Sequence, residues 1–342
     1  MDVPTWVWIA TGVVTVAIFT FDLAVVGRRP HEPSMKECAT YLSIYVGLAI
    51  IFGLGVWYTS GGTYALEFYS GWLVEYSLSI DNLFIFIIIM AKFAVPRELQ
   101  QYALMIGIVM ALVMRAIFIA VGAAAISNFS WIFYLFGLFL VYTAFKLAKE
   151  GGEDEDEEFE ENKLVAFIER RFPATSEWHG RELFHKDTGK RMITPMFIVI
   201  VTLGTTDLLF ALDSIPAIFG ITKEPYLVLT ANIFALMGLR QLYFLIGGLL
   251  QRLIYLSYGL AFLLAFIGVK LFFHALHENE LPFINGGEHL DYDWLEIPIW
   301  LSLVVIIATL AVTAVLSLWV SSRMSPEEQD AATGPRRDWE DD

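Results

Sequence analysis

Charged and polar side chains recur inside long apolar runs of this chain, where charge is costly. Two segments repeat one pattern, in which an acid is followed six residues later by a second acid and then by a small polar residue. The residues of the two motifs are Glu75, Asp81, Asn82, Asp207, Asp213 and Ser214. A charge at the centre of a membrane helix costs about 2.5–3.5 kcal/mol on insertion scales, and such residues commonly mark an ion path. We therefore expect the four acids to face the bundle interior and to mark an ion path.

Two arginines accompany the motifs. Arg115 lies in the apolar run that follows the first motif, and Arg240 lies in the run that follows the second. We expect both to be charge-compensating residues that neutralise the acids once a cation has left. The alternative is that acids and arginines form buried pairs that only hold helices together. Four acids against two arginines leave excess negative charge, which a bound cation would balance.

The donor atoms favour a hard cation. Carboxylate, amide and carbonyl oxygens suit Mg²⁺, Ca²⁺ or Mn²⁺, whereas Zn²⁺ or Cu⁺ would call for clustered histidine or cysteine. The chain has a single cysteine, Cys38, and its six histidines lie outside the apolar cores of the runs. Pro216 follows Asp213 closely and leaves the carbonyl of Leu212 without its helical donor, which predicts a kink or local unwinding there. The sequence thus predicts an oxygen-rich cation site within the membrane.

The elements that carry these residues must be membrane helices. The chain is 57% hydrophobic and 17% charged, and lipid admits only helices or closed barrels because backbone groups must be paired. Apolar runs long enough to span a bilayer occupy about residues 6–26, 40–58, 68–90, 101–122, 127–147, 195–219, 227–249, 253–273 and 296–320. This pattern predicts an all-α, polytopic transmembrane helix bundle of about nine spans.

The apolar runs also divide the chain. Residues 1–148 carry spans one to five, 149–194 form an acidic cytoplasmic loop, 195–320 carry spans six to nine, and 321–342 form a tail predicted to be disordered. The net charge of −15 comes largely from the acidic run at 153–161 and from the tail. Such runs are typically solvated segments, although the loop is also a candidate docking element.

The two halves resemble each other. Spans three to five match spans six to eight in the order of their charged residues, and units of three spans must run in opposite directions. We therefore predict an inverted 3+3 repeat core. Lysine and arginine concentrate in alternate connections, which places the N-terminus outside and the C-terminus in the cytoplasm. Asp22, close to Arg28 and Arg29, is expected to form an interfacial salt bridge.

The motifs resemble signature segments of the TerC/Alx family. The resemblance extends from Phe21 to Trp319, and its motifs are specific when taken together. It is carried by the acidic segments 75–82 and 207–217, by Phe21-Asp22-Leu23 with Arg29 and His31, and by 238–244, 258–261 and 267–270.

Membership would imply a multi-pass protein of the bacterial inner membrane in the LysE-like transporter superfamily. The family is named for tellurium resistance, and its Alx branch is linked to manganese export. The resemblance implies that the six motif residues are metal-pathway positions. Some TerC relatives act instead in membrane-protein biogenesis or stress complexes.

These inferences lead to a functional hypothesis. We expect no enzyme, but a secondary transporter that exports a divalent metal ion, manganese above others, with no permanently bound cofactor. Its partners would be the ion and the lipid bilayer, with no nucleic acid. A counter-transported proton and a homo-oligomer are left open. The alternative is a non-transporting membrane scaffold in stress response or membrane-protein biogenesis; an intramembrane aspartyl protease is a third hypothesis.

Overall fold

Helices account for nearly all of the described chain. The computed structural model describes residues 1, 3–28, 33–129, 131–150, 175, 177–187, 190–250, 253–277 and 297–324. The elements in chain order are α1 Thr5–Arg28, α2 Met35–Ser60, α3 Gly62–Lys92, α4 Arg97–Asn128, α5 Ile132–Glu150, β1 Phe184–Asp187, β2 Lys190–Ile193, α6 Pro195–Phe219, α7 Pro225–Met237, α8 Leu239–Leu250, α9 Leu256–His277 and α10 Ile299–Ser321.

In the described ranges, nine helical segments are long and apolar enough to cross a membrane. The seventh combines α7 with the start of α8, and the helix is interrupted there only at Gly238. The predicted all-α bundle with nine spans is therefore confirmed. The inverted repeat stays a prediction.

Burial separates the inner helices from the outer ones. In the most apolar stretch of each span, 83% of the residues are buried in α7–α8 and 65% in α6, but only 11% in α1 and 17% in α10. Large apolar side chains on α1 and α10, such as Phe21 and Trp300, are exposed. A surface of this kind suits contact with lipid, so α3, α6 and α7 form the interior.

The inner helices pack in a reciprocal pattern. The helix α3 contacts α7, while α4 contacts α6, and α3 also contacts α6 directly. The most extensive helix contact in the described chain joins α5 and α9. This pattern brings the middle of α3, α4, α6 and α7 together.

Two details differ from the predictions made from sequence. A short antiparallel hairpin of β1 and β2 precedes α6, within the segment predicted to be a loop; residues 151–174 of that segment lie outside the described ones. The helix α6 runs unbroken through Pro216, so local unwinding, one of the two predicted alternatives, is wrong, and the kink stays a prediction. Pro216 lies in the last turn of α6, where its missing N–H removes only one helical hydrogen bond.

Candidate functional site

Four polar side chains meet where the inner helices converge. They are Glu75 of α3, Arg115 of α4, Asp207 of α6 and Asn232 of α7. The exposed fraction is 0% for Glu75 and Asn232, 1% for Arg115 and 2% for Asp207. We call this set the buried ion cluster.

Arg115 joins the other three members of the buried ion cluster. Its Nη1 donates to Glu75 Oε2 at 2.7 Å and to Asn232 Oδ1 at 2.8 Å. Its Nε donates to Asp207 Oδ2 at 3.1 Å, and its Nη2 donates to Asp207 Oδ1 at 3.3 Å. One planar guanidinium thus bridges two carboxylates from different halves of the chain. With both acids ionised, two negative charges face one positive charge, and the cluster has a net charge of −1.

The buried ion cluster lies between two apolar layers. Along α4, Ile108 belongs to one hydrophobic cluster and Ile119 to the other, and Arg115 lies between them. Along α6, Asp207 likewise lies between Leu203 and Ala211. Apolar packing on both sides excludes water, which strengthens the electrostatic interactions within the cluster.

Glycines allow the helices to approach near the cluster. A Cβ added at Gly71 of α3 would lie 3.3 Å from Ile218 of α6, and one at Gly107 of α4 would lie 3.3 Å from Leu203 of α6. Small residues at helix crossings are the usual way in which membrane helices come close. The short distances across the cluster follow from this packing.

Arg115 and Asn232 occupy corresponding places. Arg115 reaches from α4 to Asp207 on α6, and Asn232 of α7 interacts with Glu75 on α3. Each half therefore contributes a residue that contacts the acid of the other half: an arginine in the first half and an amide in the second. Asn232 was missed by the sequence analysis; an amide inside the apolar run 227–236 was the available signal.

Arg240 lies away from the buried ion cluster. Its Nη2 donates to Asp22 Oδ1 of α1 at 2.7 Å, so Asp22 has a partner eight residues beyond Asn232 along α7–α8. Asp22 was expected to pair with Arg28 and Arg29; Arg29 and the side chain of Arg28 lie outside the described part of the chain. Arg240 thus ties α1 to α8 in this structure.

The other predicted site residues are distributed along α3 and α6. Asn82 and Ser214 are buried. Asp81 and Asp213 lie in α3 and α6, but their side chains are outside the described part. Glu75 Oε1 and Ser214 Oγ are buried and have no hydrogen-bond partner among the described residues. Among the described side chains, no three histidine, cysteine, aspartate or glutamate residues lie close enough to hold a metal, so the predicted cage stays a prediction.

Comparison with known proteins gives one consistent family. Residues 60–325 match the family described as "Integral membrane protein TerC family". The uncharacterized membrane protein Rv2723 of Mycobacterium tuberculosis (strain H37Rv) is 46% identical over 315 residues, which cover 92% of this chain and 79% of the relative.

Two further relatives match over a similar share of this chain, at lower identity. The Alx protein of Escherichia coli (strain K12), named as a candidate membrane-bound redox modulator, is 34% identical over 325 residues, covering 92% of this chain and 95% of Alx. The uncharacterized membrane protein STKORF319 of Myxococcus xanthus is 35% identical over 311 residues, covering 91% of each chain. No solved structure matches the chain.

Proposed function

We propose that this chain, which belongs to the TerC family of integral membrane proteins, is a secondary transporter that exports a divalent metal ion, manganese above others. The observation that carries the proposal is the buried ion cluster, in which Glu75 and Asp207 from the two halves of the chain face one guanidinium. An excess of buried carboxylate at mid-bundle depth needs a cation to balance it.

The ligand chemistry supports a hard cation. Carboxylates, an amide and hydroxyls are the available donors around Glu75 and Asp207, and such oxygens suit Mn²⁺ or Mg²⁺. Among the described side chains, Glu75 Oε1 has no hydrogen-bond partner, which supports its use as a metal ligand. Asp81, Asn82, Asp213 and Ser214 would complete the pathway.

Arg115 would act as a tethered counter-ion. It holds both carboxylates in this structure and would neutralise them once a metal ion has left. An arriving divalent cation would replace the guanidinium at Glu75 and Asp207, and the guanidinium would return after release. This exchange keeps the acids from being left buried and uncompensated in either state.

The driving force would be an ion gradient or the membrane potential. The sequence contains no Gly-x-x-x-x-Gly-Lys-Ser/Thr loop for nucleotide phosphates. Carboxylates that bind either a metal ion or a proton would couple the two, because protonation competes with the metal. The family resemblance implies the bacterial inner membrane, and the distribution of basic residues predicts an N-terminus outside; we propose both for this protein.

The name of the Alx relative raises a redox role. A thiol–disulfide couple within one chain requires two cysteines, and this chain has only Cys38, which is buried and free. A single cysteine does not support a dithiol mechanism within the chain, whereas the charged residues of the inner helices support metal transport.

Measurement of cellular manganese tests the proposal. In cells loaded with manganese, Asp81→Asn and Asp213→Asn should each abolish the reduction of cellular manganese that the wild-type protein produces, because each removes a pathway carboxylate. Elemental analysis of washed cells gives the readout. Glu98→Gln, at an exposed acid in the first turn of α4, is the matched control and should behave like wild type. Cellular manganese as low as with the wild-type protein in both aspartate variants would rule out Asp81 and Asp213 as pathway carboxylates.

A further inference from the structure

A second polar region lies at one end of the bundle, separate from the buried ion cluster. A cavity of about 470 Å³ opens where α3 begins and where α6 and α9 end. Its polar and charged lining residues are Tyr64, Glu67, Thr222, Lys223, Glu224, Lys270 and His274. We call it the Glu67 cavity.

Contacts within the cavity distinguish its two carboxylates. The amino group of Met1 donates to Glu224 and to Tyr64 Oη, and these bonds raise the pKa of the amine to about 10. Glu224 is therefore already paired with a positive charge. Glu67 instead accepts a hydrogen bond from the Thr222 hydroxyl at Oε2, at 2.6 Å.

Lys270 supplies a positive charge near Glu67. It interacts electrostatically with Glu67, and its Nζ donates to Ser302 Oγ of α10 at 3.2 Å. The lysine is thus tethered beside the carboxylate by a neutral hydroxyl. Arg115 donates directly to Glu75 and Asp207, whereas Lys270 donates to Ser302 and acts on Glu67 electrostatically.

The packing of α3 against α6 connects the Glu67 cavity to the buried ion cluster. Glu67 contacts Thr222. Gly71, which lies four residues after Glu67 on α3, faces Ile218, which lies four residues before Thr222. This antiparallel register brings Glu75 and Ser214 to the same level one turn further on. Glu67 and Glu75 are therefore about 12 Å apart along α3.

The Gly71–Ile218 contact closes the space between the two levels. A Cβ at Gly71 would lie 3.3 Å from Ile218, and Ile218 is itself fully buried. Buried polar atoms flank this apolar contact. Within the described part of the chain, four buried oxygens have no hydrogen-bond partner: Ser70 Oγ, Ser77 Oγ, Ser214 Oγ and Glu75 Oε1. Buried polar groups are normally paired, so unpaired oxygens beside this apolar contact and beyond it point to a ligand that passes it.

We infer that Glu67 and Thr222 form a second position for a divalent cation, separated from the buried ion cluster by an apolar gate at Gly71 and Ile218. This inference rests on the proposed function. The carboxylate and hydroxyl of this position are hard oxygen donors, and Lys270 compensates Glu67 when the position is vacant. A single apolar constriction between two polar regions is a common form of gate in membrane proteins.

Cysteine labelling tests the second position. Because Cys38 is the only cysteine, Cys38→Ser gives a cysteine-free background into which Ser77→Cys introduces one thiol beyond the gate, two residues after Glu75. The protein is reconstituted in lipid vesicles, and a small membrane-impermeant thiosulfonate reagent is applied from each side in turn. Ile218→Ala should open the gate and speed labelling from the cavity side.

Manganese ions alone are the probe for binding. Near saturation, Mn²⁺ on the cavity side should slow labelling about tenfold, because the occupied protein does not react. Glu67→Gln and Thr222→Val should each remove this protection, whereas Thr222→Ser, which keeps the hydroxyl, should retain it. Ala65→Cys, a buried position in an apolar cluster, is the control and should label slowly with or without Mn²⁺.

The outcomes separate this inference from the proposed function. Protection that persists in Glu67→Gln, or that never occurs, overturns the second position even if the vesicles transport Mn²⁺. Protection that depends on Glu67 supports it even if no Mn²⁺ flux is measured in the same vesicles, and that result would instead overturn export. Wild-type melting behaviour of each variant shows that the fold is intact.

Discussion

At the scale of single residues, the balance of charge in the buried ion cluster depends on Arg115. Its guanidinium donates to Glu75, Asp207 and Asn232 at once, a use of several donors in one plane that lysine could not reproduce. The three hydrogen-bond partners come from three different helices. Removing the arginine should therefore lower the stability far more than removing one acid.

Glu75→Gln and Arg115→Gln test this charge balance. Arg115→Gln leaves two buried carboxylates without a counter-charge and should lower the stability by about 3–5 kcal/mol. Glu75→Gln leaves the Arg115–Asp207 pair as a neutral unit, so stability should change by only about 1 kcal/mol, while Mn²⁺ transport is lost. Thermal unfolding in detergent and flux in vesicles provide the two measurements.

The double variant supplies the control for that comparison. Combining Glu75→Gln with Arg115→Gln removes one charge of each sign, and the stability lost should be less than in Arg115→Gln alone if the two groups interact. An Arg115→Gln protein that melts like wild type would show that the pairing contributes nothing to the fold.

The sequence revealed charged residues better than their partners. Glu75, Arg115 and Asp207 could be found because a charge inside an apolar run is conspicuous. Asn232 is neutral, and its importance depends on which helix lies next to α7. Arg240 was assigned as the counterpart of Arg115 by its place in the run, yet it pairs with Asp22. Sequence gives the depth of a residue along one span but not the neighbour across the gap.

At the scale of helices, breaks and close crossings follow local packing. The sequence predicted unwinding at Pro216, but α6 is continuous there. The interruption lies at Gly238 between α7 and α8, where a Cβ would lie 3.0 Å from Leu42 and 3.5 Å from Tyr76. Helices α2 and α3 thus approach the backbone at this point. Proline was visible in the sequence, whereas a neighbour's approach was not.

Among the described helices, α5 and α9 have the closest backbone contact that involves glycine. A Cβ at Gly137 would lie 2.8 Å from the carbonyl oxygen of Gly268, and one at Gly268 would lie 2.9 Å from the carbonyl oxygen of Gly137. We expect Gly137→Ala or Gly268→Ala to force the helices apart and to lower stability by about 1–3 kcal/mol. The midpoint of thermal unfolding in detergent measures the effect.

Gly55→Ala is the matched control for the crossing. Gly55 lies within α2, and a Cβ there would meet nothing within 4 Å. Alanine favours a helix over glycine by about 1 kcal/mol, so this variant should be as stable as wild type or more so. Equal melting of the Gly137 and Gly55 variants would contradict a close crossing.

At the scale of the whole molecule, the packing is reciprocal between its halves. The contact of α4 with α6 is matched by that of α7 with α3, and Gly137 and Gly268 meet each other across α5 and α9. A two-fold axis in the membrane plane would produce this pattern, which favours the predicted inverted repeat. Motif spacing predicts the repeat, which stays a prediction, but it cannot locate an axis, because an axis is a relation in space.

The acidic run at 153–161 separates the transporter from the alternative scaffold. It lies outside the described residues, between the end of α5 at Glu150 and the hairpin before α6, and solvated acidic runs of this kind seldom contribute to a fold. Deleting residues 153–161 shortens a connection without removing any residue of the buried ion cluster, and changes in loop length have small effects on stability. An exporter should therefore keep cellular manganese as low as the wild type does, whereas a scaffold should lose its partner in affinity capture.

A length-matched variant with serine at each acidic position distinguishes loss of charge from loss of length. High manganese in cells that carry normal amounts of the deleted protein in their membranes would show that the acidic run belongs to the transport path.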